Sequence, residues 1–215
     1  MSKFSQSYEV FLNGTLLSIS GTHLKDFSET YIDCKELRSR CSELFLLDLY
    51  VHAYASDINP ESILCELRAL ENNDFASKTK PATQFRRLPL KGLWHKHFYT
   101  AQFMPQNRLN AHRGGRLESE ITRVFNEFDE SKFDSKLEAY KAISLEIALA
   151  SERLGNERED ENLLTGEWIV FAKHESKNYY FCVAPHHSDE KIYAQVIKSC
   201  GMDFPNLTEV IENYT

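Results

Sequence analysis

The stretch GEWIVFAKHESKNYYFCVAPHH, residues 166–187, constrains the fold more than any other part of the chain. β-Branched and aromatic residues flank a short polar centre, the pattern of two strands joined by a tight turn. With Ser176 and Lys177 at the centre of the turn, His174 faces Tyr179, Lys173 faces Tyr180 and Phe171 faces Cys182. Side chains alternate along a strand, so Trp168, Val170, Ala172, His174, Tyr179, Phe181 and Val183 share one face. Glu167, Ile169, Phe171, Lys173, Tyr180, Cys182, Ala184 and His186 share the other. Both faces are largely apolar. A hairpin with one side in water shows one polar face, so this one requires cover on both.

Helices supply the cover. Residues 8–19 predict a short hairpin about Asn13-Gly14, a pair that tolerates the positive φ of a type I′ turn. Thr22 then caps a helix whose apolar residues, from Leu24 to Cys41, recur at spacings of three and four. From Leu44 to Tyr54 they occupy every side, as in a helix that runs through a core. Asn59-Pro60-Glu61 marks a helix start, with Ile63, Leu64, Leu67 and Leu70 as its buried stripe. Residues 116–128 and 134–154 return to helical spacing. The second of these carries Leu137, Tyr140, Ile143, Leu145, Ile147, Leu149 and Leu154 and stops at Gly155, which leaves 156–162 as an acidic loop. Ser188-Asp189 opens another helix that ends near Gly201, and a short one spans 206–214. The expectation is an α+β fold, predominantly helical and one domain over 1–215, with a small antiparallel sheet that includes the C-terminal hairpin of about 167–174 and 178–185.

Residues 73–115 have no clean period and are punctuated by Pro81, Pro89, Pro105 and Gly114-Gly115. They also hold Phe85, Leu88, Leu90, Leu93, Trp94, Phe98, Tyr99, Phe103 and Met104, too many large apolar groups for a free linker. An irregular segment packed on the helical core, with short strands or turns near 92–104, is expected. Cations concentrate here as well. Net charge is −7, which argues against a general nucleic-acid binder, yet residues 78–123 hold ten Lys or Arg and two acids. That stretch therefore carries +8 and the remaining 169 residues −15. Such a chain can turn a basic surface to an anion while the rest stays acidic.

The five cysteines, Cys34, Cys41, Cys65, Cys182 and Cys200, form no CxxC pair and read as free thiols in a reducing compartment. No apolar run approaches the ~20 residues that cross a bilayer, and the start, MSKFSQSYEVF, lacks the pattern of a signal peptide. A soluble cytoplasmic protein without a membrane partner is expected.

The chemistry-bearing groups lie in two places. Trp94-His95-Lys96-His97 sets two imidazoles on one face if it is a strand. A metal needs a third ligand, and Asp48, His112 and Glu118 have no special spacing, so no metal and no cofactor is indicated. Histidine as acid or base, with lysine or arginine stabilising a pentavalent phosphorus, is the alternative chemistry. His95, His97 and His174 are the expected acid or base, with Lys173 and Tyr180 at the hairpin rim. Arg86, Arg87, Lys96, Arg108, Arg113 and Arg116 are expected on phosphates, with Trp94 stacking on a base. Glu167 and His186 form the opposite end of the hairpin, ~20 Å away at 3.3 Å per residue, so one small site uses only one end. No P-loop, kinase, Rossmann or GxSxG pattern is present. The outline suits compact ribonuclease toxins, although no residue pattern matches one. The reading is a nucleic-acid- or nucleotide-directed protein, a metal-independent ribonuclease of that toxin-like kind, whose partner is RNA or another anionic ligand. The alternative is a non-catalytic protein-interaction or regulatory protein with a protein partner.

Overall fold

A computed structural model of the chain describes residues 3–12, 14–55, 58–72, 77, 79–100, 103–161, 163–164, 166–186 and 188–212. The expected first hairpin is present as β1 (Ser7–Leu12) and β2 (Thr15–Ser20), with Leu12 opposite Thr15. Asn13 lies outside the described residues, and Gly14 takes φ +83. α1 (Gly21–Tyr31) is capped by Ser20 rather than Thr22: the Ser20 hydroxyl accepts from the His23 N–H, and His23 Nδ1 accepts from the Ser20 N–H. The apolar run that follows is divided into α1, α2 (Lys35–Ser39) and α3 (Glu43–Ala55). The break has a cause in the sheet. Residues 40–42 leave the helix to pair with Tyr180, whose N–H donates to Arg40 O and whose carbonyl accepts from the Ser42 N–H, both at 2.8 Å. This pairing also covers a sheet edge.

α4 (Glu61–Glu71) starts as expected, with Asn59 Oδ1 accepting from the Glu61 N–H at 3.0 Å and Ile63, Leu64 and Leu67 buried. β3 (Thr83–Gln84) and β4 (Trp94–His97) follow, then α5 (Met104–His112). This helix falls in the stretch expected to be irregular. Its buried side chains are Asn107 and Ala111, so no apolar stripe announces it. α6 (Arg116–Glu127) and α7 (Lys136–Asp160) are next. α7 does not stop at Gly155 but continues through the acidic residues after it. β5 (Trp168–His174), β6 (Lys177–Ala184), α8 (Asp189–Asp203) and α9 (Thr208–Glu212) complete the chain.

β3, β4, β5 and β6 form one antiparallel sheet in that order. The β5–β6 turn is Glu175-Ser176, with φ 48 and 62, not Ser176-Lys177. Two left-handed positions are usually marked by Asn or Gly; Glu-Ser carries no such mark, and the expected register is displaced. Lys173 faces Asn178 and Phe171 faces Tyr180, and a bulge between Val170 and Phe171 then sets Val170 opposite Cys182. Cover on both faces is confirmed. Ile169, Phe171, Tyr180 and Val183 pack against Phe45, Leu46 and Leu49 of α3 and Leu67 of α4. Val170, Ala172, Phe181 and Ala184 pack against Ile192, Val196 and Cys200 of α8. α3 is apolar all round because its other side, at Leu44, meets Tyr8, Ile19 and Leu24 around the first hairpin.

α5, α6 and α7 pack mainly on one another. α7 buries Ala139, Ala150 and Leu154, whereas Leu137, Tyr140 and Leu145 are 60–64% exposed. At 100° per residue the expected apolar set spans more than half the helix circumference, and only one arc has a neighbour. Among the described residues, no helix is long and apolar enough to cross a membrane.

Candidate functional site

The site is organised by a glycine. A Cβ on Gly166 would lie 1.8 Å from Phe98 O, so the close approach of these two backbones admits no side chain. The approach places the Gly166 carbonyl between two imidazoles, 2.8 Å from His97 Nδ1 and 2.7 Å from His186 Nε2. A carbonyl only accepts, so both of these nitrogens carry protons. The Gly166 N–H, 3.4 Å from His97 Nδ1, is too long to compete for the tautomer. Nε2 of His97 is thereby left with the lone pair. The two rings are 5.3 Å apart, and His186 stacks on Trp168 at 4.2 Å.

A cleft of ≈ 600 Å³ opens beside them. The sheet side supplies His97, Gly166, Glu167 and Trp168, and α5 with its flanks supplies Phe103, Gln106, Asn110 and Arg113. These last four recur at three and four residues and share one helix face. Lys80 adds a second cation. Burial pushes the His97 imidazole down to about 4, with the charges of His186, Lys80 and Lys96 adding to it and the Gly166 bond opposing it. His97 is therefore neutral at neutral pH. Burial also raises the Glu167 carboxyl and lowers the imidazole of His52, whose Nε2 lies 3.9 Å from Glu167 Oε2.

The structure brings His97 and Arg113 of the expected site residues to this cleft and places the others elsewhere. His95 shares the strand face of His97 but lies behind the cleft, its ring 4.5 Å from Phe85 and 4.9 Å from Trp168, and burial holds it at about 4. Lys173 extends over the Trp94 ring at 4.0 Å, so the expected stacking residue is occupied by a cation of its own sheet. Tyr180 is fully buried and donates to Glu71 Oε1 at 2.7 Å. His174 lies beside Glu175 at the hairpin turn.

The described cations do not form one surface either. Lys96 is 4% exposed; its ammonium donates to Ser77 Oγ, Lys80 O and Thr79 O and lies 3.1 Å from Glu66 Oε2. It is a strut that holds Ser77, Thr79 and Lys80 against the sheet. Arg86, Arg87 and Lys91 are exposed between β3 and β4. Arg108 lies against Gly155 of α7, Arg116 pairs with Glu157, and Arg123 pairs with Glu120 and Glu127. Lys78 and His187 lie outside the described residues. Of the nine described cations between residues 78 and 123, Lys80 and Arg113 line the cleft.

The expected site omitted the cleft-lining residues Lys80, Gln106, Asn110 and Trp168, and Glu167 and His186 were noted only as the far end of the hairpin. Two signals pointed to them. A glycine at the start of a strand marks close backbone approach, and Gln106, Asn110 and Arg113 follow Phe103 at helical spacing with polar groups. Among the described residues, no group of three or more His, Cys, Asp or Glu is arranged to hold a metal ion. Comparison of the chain with protein-family models, with curated proteins and with solved structures finds no match.

Proposed function

We propose that the cleft takes a phosphate-bearing ligand and that the protein is a metal-independent ribonuclease acting on single-stranded RNA. The observation that carries this reading is the pair of imidazoles oriented by one carbonyl, 5.3 Å apart, in a cleft with Lys80 and Arg113 on its lining. Nε2 of His97 takes the proton of the ribose 2′-hydroxyl, and the 2′-oxygen attacks phosphorus. The bond from phosphorus to the 5′-oxygen breaks, and His186, which must enter the step as the imidazolium with Nε2–H held on Gly166 O, delivers its Nδ1 proton to that leaving oxygen. The products are a 2′,3′-cyclic phosphate and a 5′-hydroxyl. Lys80 and Arg113 offset the charge that builds on the pentavalent phosphorus. The low proton affinity of His97 keeps it in the basic form.

The test is incubation of purified protein with end-labelled single-stranded RNA in EDTA. Cleavage that leaves a cyclic phosphate, and that is lost in His97→Gln and in His186→Gln, supports the reading. No cleavage together with no salt-sensitive retention of RNA rejects it.

A second reading, a protein-binding role, is favoured by the exposed Leu137, Tyr140 and Leu145 of α7 and Phe125 of α6. It predicts a complex of defined size with a protein partner that forms unchanged with His97→Gln and is lost with Leu145→Glu.

A further inference from the structure

α7 packs on α5 and α6 along one arc, where Ala139, Ala150 and Leu154 are buried. On the opposite arc Leu137 and Leu145 are 63% and 60% exposed, and Leu149 is 39% exposed. Lys141, Ala148 and Glu152 are exposed there as well. At 100° per residue, Lys141 and Glu152 project from the middle of this arc, about 20° apart around the axis. Among the described residues, the ion pairs of α7 use Arg153 and Glu157, and none uses Lys141 or Glu152. The outer face of α7 therefore carries leucines between a free cation and a free anion.

Such a face is complementary to its own reverse. A second α7 laid antiparallel, with the crossing point between residues 146 and 147, brings Lys141 of each copy level with Glu152 of the other. The two-fold axis makes this contact twice. It also matches each flank with the same flank of the second copy. Leu145 and Leu149 share one flank, about 40° apart, and Leu145 of each copy comes within about 2 Å of the level of Leu149 of the other. A parallel pair sets Lys141 on Lys141 and Glu152 on Glu152. Moving the crossing point one turn toward the N-terminus brings the two Lys141 levels within about 6 Å and leaves Glu152 without a partner. Opposite charges thus select one orientation and one register. We infer that α7 is a dimerisation helix: a second copy of this chain lies antiparallel on it, with Lys141 of each copy on Glu152 of the other and Leu145 on Leu149. This rests on the second reading above, that the α7 face binds protein, and names the protein; it makes no use of the cleft. One helix pair is a small interface, and two chains of net charge −7 repel, so the dimer is expected to dissociate on dilution.

The experiment is sedimentation velocity of the full chain from about 1 to about 100 μM at about 0.15 M salt. The mass is expected to rise from 25.0 kDa toward twice that value, and Leu145→Glu is expected to hold it at the monomer. Lys141→Glu and Glu152→Lys each turn two attractions into two repulsions and should weaken the dimer about tenfold. The two changes together restore both contacts and should recover the wild-type dissociation constant. A dimer that survives Leu145→Glu lies on another face and overturns the inference. A double variant no tighter than its single parents overturns the antiparallel register. If the wild type stays a monomer throughout, the second copy is overturned. Retention of a lysate protein by that monomer, lost in Leu145→Glu, then leaves the protein-binding reading standing, and no retention overturns both. The wild-type dilution series needs no variant, and all three positions are exposed, so a folding defect cannot mask the result.

Discussion

Replacing Lys96 by methionine should cost stability rather than a direct ligand contact. Lys96 and Glu66 are 4% and 6% exposed, and the ammonium meets four oxygens, those of Ser77, Thr79, Lys80 and Glu66, within 3.2 Å. Methionine refills most of the stem volume, so the cavity contribution is small. What remains is a buried Glu66 carboxylate without its cation. Breaking one side of such a pair costs ~3–5 kcal/mol. In a chain of this length each kcal/mol moves Tm by ~2–4 °C, so a drop of ~6–20 °C is expected. Removing the carboxylate as well, in Lys96→Met with Glu66→Leu, should recover most of the loss, because a well-packed apolar pair replaces a buried ion pair at little cost. Urea and thermal unfolding followed by circular dichroism measure both effects. The reasoning is refuted if Lys96→Met melts within ~2 °C of the wild type while RNA affinity falls, for then the ammonium faces phosphate and not the interior. An intermediate consequence is also expected. With Ser77, Thr79 and Lys80 released from the sheet, Lys80 is no longer held at the cleft, and Lys96→Met should weaken RNA retention only where it also destabilises.

Three other outcomes follow from the same geometry. Gly166→Ala must displace either Phe98 or the two histidines, because its Cβ would stand 1.8 Å from a carbonyl oxygen; a loss of more than ~4 kcal/mol is expected, and wild-type stability in a urea titration would contradict the fold around the site. His97 titrates at about 4 when folded and near ~6.5 when unfolded, so the unfolded state takes up its proton first; the stability contribution is complete above ~6.5 and is lost as pH falls toward 4, by up to ~3 kcal/mol, and His97→Gln should reduce the slope of unfolding free energy against pH across that window. Lys80→Ala and Arg113→Ala should each lower the slope of log affinity for RNA against log salt by about 1, whereas Arg86→Ala, on the exposed β3–β4 turn, should leave it unchanged if the cleft alone holds the phosphates.

Much of this architecture was legible before any coordinates. Alternation in 168–184 called for cover on both faces, and α3 and α8 provide it. The Asn-Pro-Glu start of α4 and the first hairpin, with Gly14 at positive φ, were also readable, because each rests on backbone preferences of a few adjacent residues. α5 was not, since its one regular stripe is polar and serves the cleft. Nor was the extent of α7, where packing of Arg108 against Gly155 accompanies a helix that runs past a residue which ordinarily ends one.

The amino-acid order by itself determined the periodicities, and with them the types of the strongly periodic elements, the doubly covered hairpin and the concentration of cations between residues 78 and 123. Tertiary structure decided which of those charged groups come together. His97 and His186 are 89 positions apart and meet because both bind the carbonyl of Gly166, while Lys96, one residue from His97, is turned by strand alternation into the opposite face and the interior. Local pattern reports which way a side chain faces relative to its neighbours; only the packing of the sheet against its helices says whether that direction is a cleft or a core.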